Sequence, residues 1–258
     1  FQYDVALFSP DSVFIVRPAA FSIRRLYQAL GDEAVEDVSP VYIFPAVWKN
    51  PWGTDRRAIQ SMGVDPEKNQ FDTPGFAAGL PLLRQQDAVL FDAASRPEFG
   101  DIRGRFEADG IITTEINNRT VKVVGLLEIG PSFGIDGTVM TSIDNWLRLF
   151  PDRPRDEIQL GLVRLRPGAD PVVVRDRLRT ELPHDVLVLT KQDFVNRERS
   201  YWNHATPIGF VFAFGAIMGL VVGAIIVYQI LFADVSEHLN EYATLRAIGY
   251  RNRFVSGI

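Results

Sequence analysis

The chain has no cysteine, which excludes disulfides and thiolate chemistry and leaves the redox compartment open. Histidine is scarce: His184, His204 and His238 lie too far apart in sequence to suggest a metal motif. An excess of basic charge is also missing. The 27 Lys and Arg against 32 Asp and Glu give a net charge of −5, which argues against a nucleic-acid partner. The glycine-rich stretch Gly130-Pro-Ser-Phe-Gly134-Ile-Asp-Gly137 lacks the following Lys-Ser/Thr of a phosphate loop and reads as an irregular loop tip. No serine sits in a Gly-x-Ser-x-Gly elbow. Acidic pairs such as Asp32-Glu33 and Glu36-Asp37 read as solvated charge, as do Arg175, Arg177 and Arg179 on one helix. The sequence therefore points to no enzyme, no catalytic residue, no metal and no cofactor bound by this chain.

One absence is positive evidence. Residues 205–233 contain no charged side chain. At about 1.5 Å per residue that run reaches roughly 44 Å as a helix. A bilayer core of about 30 Å needs about 20 apolar helical residues. The expectation is a transmembrane helix over 205–231, with Tyr201 and Trp202 as interfacial anchors. Gly215, Gly219 and Gly223 recur every fourth residue, so they share one helix face. They are expected to pack against another helix in a bundle or dimer, although glycine is also common in membrane helices. The chain starts at Phe1 with no basic leader before it, and its last residues turn apolar again. It reads as an internal fragment of a longer membrane protein, with residues 251–258 opening the next transmembrane segment.

Ahead of the span, residues 1–190 read as a mixed α+β domain. Strands are expected near 3–8, 12–16, 41–48, 58–64, 88–91, 158–165 and 186–189. The arms 110–117 and 120–127 flank Asn118-Arg119 as a hairpin, and the second arm alternates only partly, as if covered on both faces. Helices are expected over 20–30, from a Ser142 cap to Phe150, and from Asp170-Pro171 to Glu181. The last of these lies between two strands as a βαβ-like unit. Thr190 and Asp193 approximate a capping box that opens a helical stalk over 191–204.

After the span, residues 232–250 read as an amphipathic helix on the cytoplasmic side. Glu237 and Glu241 are four apart on one face, Tyr242, Leu245 and Ile248 form an apolar stripe, and Gly249 stops the helix. On physical grounds the segment is either a juxtamembrane helix resting at the interface or a helix that docks into a partner.

Glu241-Tyr-Ala-Thr-Leu-Arg-Ala-Ile-Gly249 resembles the signature that follows the second transmembrane helix in permeases of the MacB/FtsX-like ABC superfamily. Leu26-Tyr-Gln-Ala-Leu30, Trp48-Lys-Asn-Pro51, Val89-Leu-Phe-Asp-Ala-Ala-Ser-Arg-Pro-Glu-Phe-Gly100, Ser132-Phe-Gly-Ile-Asp-Gly137, Leu189-Thr-Lys-Gln-Asp-Phe194 and Val227-Tyr-Gln-Ile-Leu231 resemble its DevC branch. The resemblance implies an inner-membrane permease with four transmembrane helices and a large periplasmic domain between the first two. It also implies a separate ATP-binding subunit that carries ATP and Mg, a periplasmic adaptor, an outer-membrane channel and a homodimer in membrane lipid. On the same basis Glu237, Glu241, Leu245, Arg246 and Gly249 would contact the ATP-binding subunit. His238 departs from the pattern, since many relatives carry Arg or Lys there. The 130–137 loop would face the adaptor. The implied activity is export of a lipid-like or glycolipid cargo by mechanotransmission. Charge alone does not orient the span, because Lys191, Arg197 and Arg199 flank one end and Arg246, Arg251 and Arg253 the other. Two other classes fit the same outline: a membrane-anchored extracytoplasmic sensor, and an FtsX-like regulator of a periplasmic enzyme.

Overall fold

Several strands of this protein are apolar on consecutive positions, and the structure buries both of their faces. The computed structural model describes residues 2–12, 18–132, 134–200 and 207–248, except for the side chains of residues 198–200, 207–209, 242, 245 and 246. In chain order the elements are β1 (Val5–Phe8), β2 (Phe21–Ser22), α1 (Ile23–Gln28), β3 (Val35–Lys49), β4 (Arg56–Val64), α2 (Phe76–Gly79), β5 (Ala88–Asp92), α3 (Ile102–Asp109), β6 (Ile112–Ile116), β7 (Arg119–Leu127), β8 (Thr138–Ser142), α4 (Ile143–Leu149), β9 (Glu157–Ile158), β10 (Leu160–Leu165), α5 (Pro171–Glu181), β11 (Leu187–Thr190), α6 (Lys191–Ser200), α7 (Pro207–Glu237) and α8 (Leu239–Ala247). They fall into two units, Phe1–Glu198 and Arg199–Ile258.

The first unit is built on one sheet in the order β11-β1-β10-β3-β4-β8-β5-β7-β6. Strand β3 has 15 residues and serves two purposes. Its first half pairs antiparallel with β10, and its second half, from Tyr42, pairs antiparallel with β4. The far strand β6 returns to β3 through Trp48↔Ile116 and Lys49↔Glu115, so β3, β4, β8, β5, β7 and β6 close into a ring. Closure leaves those strands no free edge.

Neighbouring residues along one strand feed two separate apolar clusters. Val5 and Leu7 join the first with Leu26, Trp146, Val174 and Leu178; Ala6 and Phe8 join the second with Phe76, Leu80 and Leu83. Helices α1, α4 and α5 thus cover one face, and the segment around α2 covers the other. This is why β1 and β5 read as apolar runs. Strand β7 shows the partial alternation for a local reason. Its register with β5 skips Val124, between Val89↔Val123 and Leu90↔Gly125. The bulge sends Val121 and Val123 to the first cluster and Val124 and Leu127 to the second.

Several expectations need correction. β10 and β11 are not adjacent, because β1 lies between them and is antiparallel to both; the βαβ-like unit is a split one. The helix expected from residue 20 begins at Ile23, because Ser22 caps it and Phe21 pairs with Ile158 in a two-stranded ladder. Tyr27 and Leu30 are exposed. Asp32 is buried, and Arg175, Arg177 and Arg179 are each engaged, so none of these is plain solvated charge. Strand β8 and helix α3 have no counterpart among the expected elements. Beyond Ser12, the strand expected over 12–16 lies outside the described residues. So do Tyr201, Trp202, Gly249 and the segment 251–258.

Candidate functional site

Helix α7 is apolar on all sides and exposed throughout its described side chains. Its stretch Phe210–Glu237 has 28 residues and contains an 18-residue window with a mean hydropathy of 2.7, long and apolar enough to cross a membrane. Phe210 and Phe214 stack near one end and Tyr228 and Phe232 near the other. A Cβ added at Gly215, Gly219 or Gly223 would meet nothing within 4 Å, so the glycine face is open for a close neighbour.

The helix is interrupted at His238. Glu237 is the last residue of α7, and Glu241 lies in the first turn of α8, so the two carboxylates sit on successive helices. His238 Nδ1 lies 3.4 Å from Glu241 Oε2, and its Nε2 lies 3.9 Å from Asp234 Oδ1. The histidine therefore stands between two acids at the break. Leu245 and Arg246 belong to α8, with their side chains outside the described set.

Three stretches that are far apart in sequence meet in one loop assembly at the end of the ring. Trp48 is buried; its Nε1 donates to the Phe99 carbonyl at 3.1 Å and its ring lies 5.1 Å from that of Phe91. The 97–99 turn is thereby fixed to β3. Gly100 follows at φ 105°, and a Cβ there would stand 2.9 Å from Asn50 Oδ1 and 3.2 Å from the Trp52 ring, so only glycine fits. Buried Asp92 accepts from the backbone N–H groups of Ala94, Ile129 and Gly130, which ties the 130–137 loop to β5. Asp136 holds Arg96 at 2.7 Å and Arg57 at 3.9 Å. A Cβ at Gly137 would come within 2.7 Å of Phe99 and Ser95. The assembly presents half-exposed Trp52, with Arg105 5.7 Å from its ring centroid, and also carries exposed Ile129. An aromatic, a guanidinium and an aliphatic side chain on a rigid loop base suit protein recognition.

The first strand of the first unit lies against the junction of β11 and α6. Lys191 N donates to Asp4 O at 3.0 Å, and Thr190 pairs with Val5. Helix α6 is capped reciprocally: Thr190 N donates to Asp193 Oδ2 at 3.2 Å, and Asp193 N donates to Thr190 Oγ1 at 3.1 Å. This is the capping box that the spacing suggested. Phe194 stacks on Phe8 at 5.0 Å, and Arg197 donates to the Ser12 carbonyl at 2.9 Å.

A cleft of about 540 Å³ is lined by Tyr27, Tyr42, Arg84, Arg148 and Arg155, among others. Each of the three guanidiniums already faces a carboxylate: Glu67, Asp87 and Asp144 respectively. Among the described residues no group of three or more His, Asp or Glu side chains could hold a metal.

No protein-family model matches the chain, and no curated protein matches its sequence. The fold does have solved counterparts. The periplasmic region of MacB from Actinobacillus actinomycetemcomitans superposes with a TM-score of 0.53 at 11% identity, covering 76% of this chain and 92% of that one. The extracellular domain of the ABC-type transporter YknZ from Gram-positive bacteria matches with a TM-score of 0.47 at 12% identity, covering 72% and 98%. By its likeness to the MacB region, the first unit has the fold of a MacB-type periplasmic domain.

Proposed function

We propose that the chain is part of the permease subunit of an ABC exporter, with residues 1–190 outside the cytoplasm and α7 in the inner membrane. The observation that carries this reading is the fold shared with the periplasmic region of MacB, followed in the same chain by a helix apolar enough to span a bilayer. The side-by-side arrangement of β1 and α6 supports it, because a domain inserted between two membrane helices needs its two ends together. On this reading ATP hydrolysis belongs to a separate ATP-binding subunit. The segment 232–250 docks there through Glu237, Glu241, Leu245, Arg246 and Gly249.

The physical core of the mechanism is mechanotransmission. Closure of two ATP-binding subunits moves their docked helices, α7 and the 191–204 stalk carry the displacement, and the periplasmic domains of a homodimer change their spacing. Cargo is pushed from a periplasmic compartment into a channel rather than through the bilayer. The loop assembly around Trp52, Arg96 and 130–137 is the face offered to a periplasmic adaptor, which leads to an outer-membrane channel. The DevC resemblance makes the cargo lipid-like or glycolipid. Gly215, Gly219 and Gly223 let neighbouring helices slide at close range.

The test is co-purification of the full-length parent in detergent, with Glu241→Arg as control and ATP hydrolysis as readout. An ATP-binding subunit that is captured by the wild type and lost in the variant supports the reading. Absence of such a subunit from folded wild-type protein overturns it in favour of a membrane-anchored sensor.

A further inference from the structure

Helix α5 carries three arginines, and all three act as ties. Val174 and Leu178 form its buried stripe. At 100° per residue Arg175 and Arg179 fall on one flank of that stripe and Arg177 on the other. Arg177 binds Asp32, ahead of β3, and Arg179 Nε donates to the Val188 carbonyl on β11 at 2.9 Å. Arg175 Nη1 reaches Asp193 Oδ2 on α6 at 2.7 Å. One helix thus fastens the approach to β3, the outermost strand of the sheet and the first turn of α6.

Asp193 is the shared point. The oxygen that accepts from Arg175 also caps the Thr190 backbone N–H. Only 16% of the Arg175 side chain is exposed, and Asp176 lies 2.9 Å from its Nε, so the guanidinium is held between two carboxylates. The hydrogen bond from Arg175 holds the Asp193 carboxyl below its ordinary range, so the charged form persists at physiological pH. Phe194 on Phe8 and Arg197 on the Ser12 carbonyl tie α6 to the β1 side. The Arg175–Asp193 pair joins α6 to the layer that carries α5 and its bonds to Asp32 and β11.

We propose that the Arg175–Asp193 clasp is the positioning contact through which motion of α6 is handed to the α5 layer of the periplasmic domain. The proposal rests on the permease reading above, in which α6 leads to the membrane span. The clasp makes α5, α6 and β11 move as one body, and loss of it loosens α6 from α5.

The experiment uses the full-length protein in nanodiscs with its ATP-binding subunit. In a cysteine-free background of the full-length protein, Ile129→Cys takes a single spin label, and the distance between the labels of two protomers is read by pulsed electron resonance with and without trapped ATP. The unmodified clasp should show an ATP-dependent shift. Arg175→Ala should abolish the shift while ATP hydrolysis, subunit capture and the near-ultraviolet circular dichroism stay unchanged. A second variant guards against a trivial loss: Arg175→Cys with Asp193→Cys, bridged by a bismaleimide and labelled at residue 129 through an unnatural amino acid, should regain the shift. A shift that persists in Arg175→Ala, or that is absent from the unaltered protein although the ATP-binding subunit is bound, overturns the clasp. Failure of the wild type to bind any ATP-binding subunit overturns the permease reading instead.

Discussion

Arg177 on α5 donates two hydrogen bonds of 2.8 Å to Asp32, whose side chain is only 3% exposed. Asp32 Oδ1 also accepts from the Ala34 N–H at 2.8 Å. The pair is asymmetric, because the arginine side chain is 48% exposed. Removing the arginine strands a buried carboxylate, whereas neutralising the aspartate leaves a guanidinium that water can reach. Arg177→Ala should therefore cost about 3 kcal/mol, the lower end for breaking a buried pair. Asp32→Asn, which keeps an acceptor for Ala34, should cost about 1 kcal/mol. Urea unfolding followed by tryptophan fluorescence measures both, and equal costs would contradict the asymmetry.

Trp48 holds the loop assembly from below. Trp48→Phe keeps most of the packing on Phe91 but leaves the Phe99 carbonyl unpaired, for an expected loss of about 1–3 kcal/mol. Trp48→Ala also opens a cavity and should lose about 3–5 kcal/mol. On the proposed function both variants weaken adaptor binding, and the phenylalanine variant does so while the domain remains folded. Calorimetric melts paired with an adaptor pull-down separate the two effects.

Two tyrosines predict behaviour in alkali. Burial pushes the Tyr3 hydroxyl up to about 12, aided by Asp37, whose Oδ2 accepts its hydrogen bond at 3.2 Å. Burial also pushes Tyr42 up to about 12, with its hydroxyl donating to the Arg155 carbonyl at 2.5 Å. In the unfolded chain both lose their protons near the ordinary value of 10.0. Between that pH and about 12 the unfolded state binds fewer protons, so stability is intact below about pH 10 and falls as pH rises through this window. An ultraviolet titration should show Tyr3 and Tyr42 ionising only with unfolding, and Tyr3→Phe should flatten the loss.

Orientation can be read with one thiol. Asn118 is a poor probe site, because it holds φ 62° in the hairpin turn and its Oδ1 accepts from Arg56. Asp152 lies exposed in the turn after α4 and is free of both constraints. Asp152→Cys in the full-length protein should react with a membrane-impermeant maleimide in intact spheroplasts. Labelling only after lysis would reverse the proposed topology.

Features that depend on near neighbours in the chain were legible in advance. The β6–β7 hairpin was legible, but its turn is Asn117-Asn118, at φ 51° and 62° as asparagine permits, and not the expected Asn118-Arg119, because Arg119 already pairs with Ile116. Asp170 caps α5, Ser142 caps α4, and Thr190 with Asp193 caps α6, each through a hydrogen bond spanning two or three residues. Helix α3 carries the same kind of signal, since Asp101 accepts from Gly104 N at 3.1 Å, but its charged residues leave no apolar stripe to mark it. Strand β8 offered no such signal. Thr138-Val-Met-Thr-Ser142 is buried along its whole length because it is inserted between β4 and β5, which lie far from it in sequence.

The sequence by itself determined the uncharged helix, the caps and turns, and the apolar runs that demand burial, because each follows from composition or from contacts within a few residues. Tertiary structure alone decided that β1 would part β10 from β11 and that β6 would close on Trp48. It also decided that Arg175, Arg177 and Arg179 would be ties rather than a wet face. Those outcomes depend on which distant partner a strand or a charge meets, and the cost of burying Asp32 or Asp92 becomes acceptable only once that partner is in place.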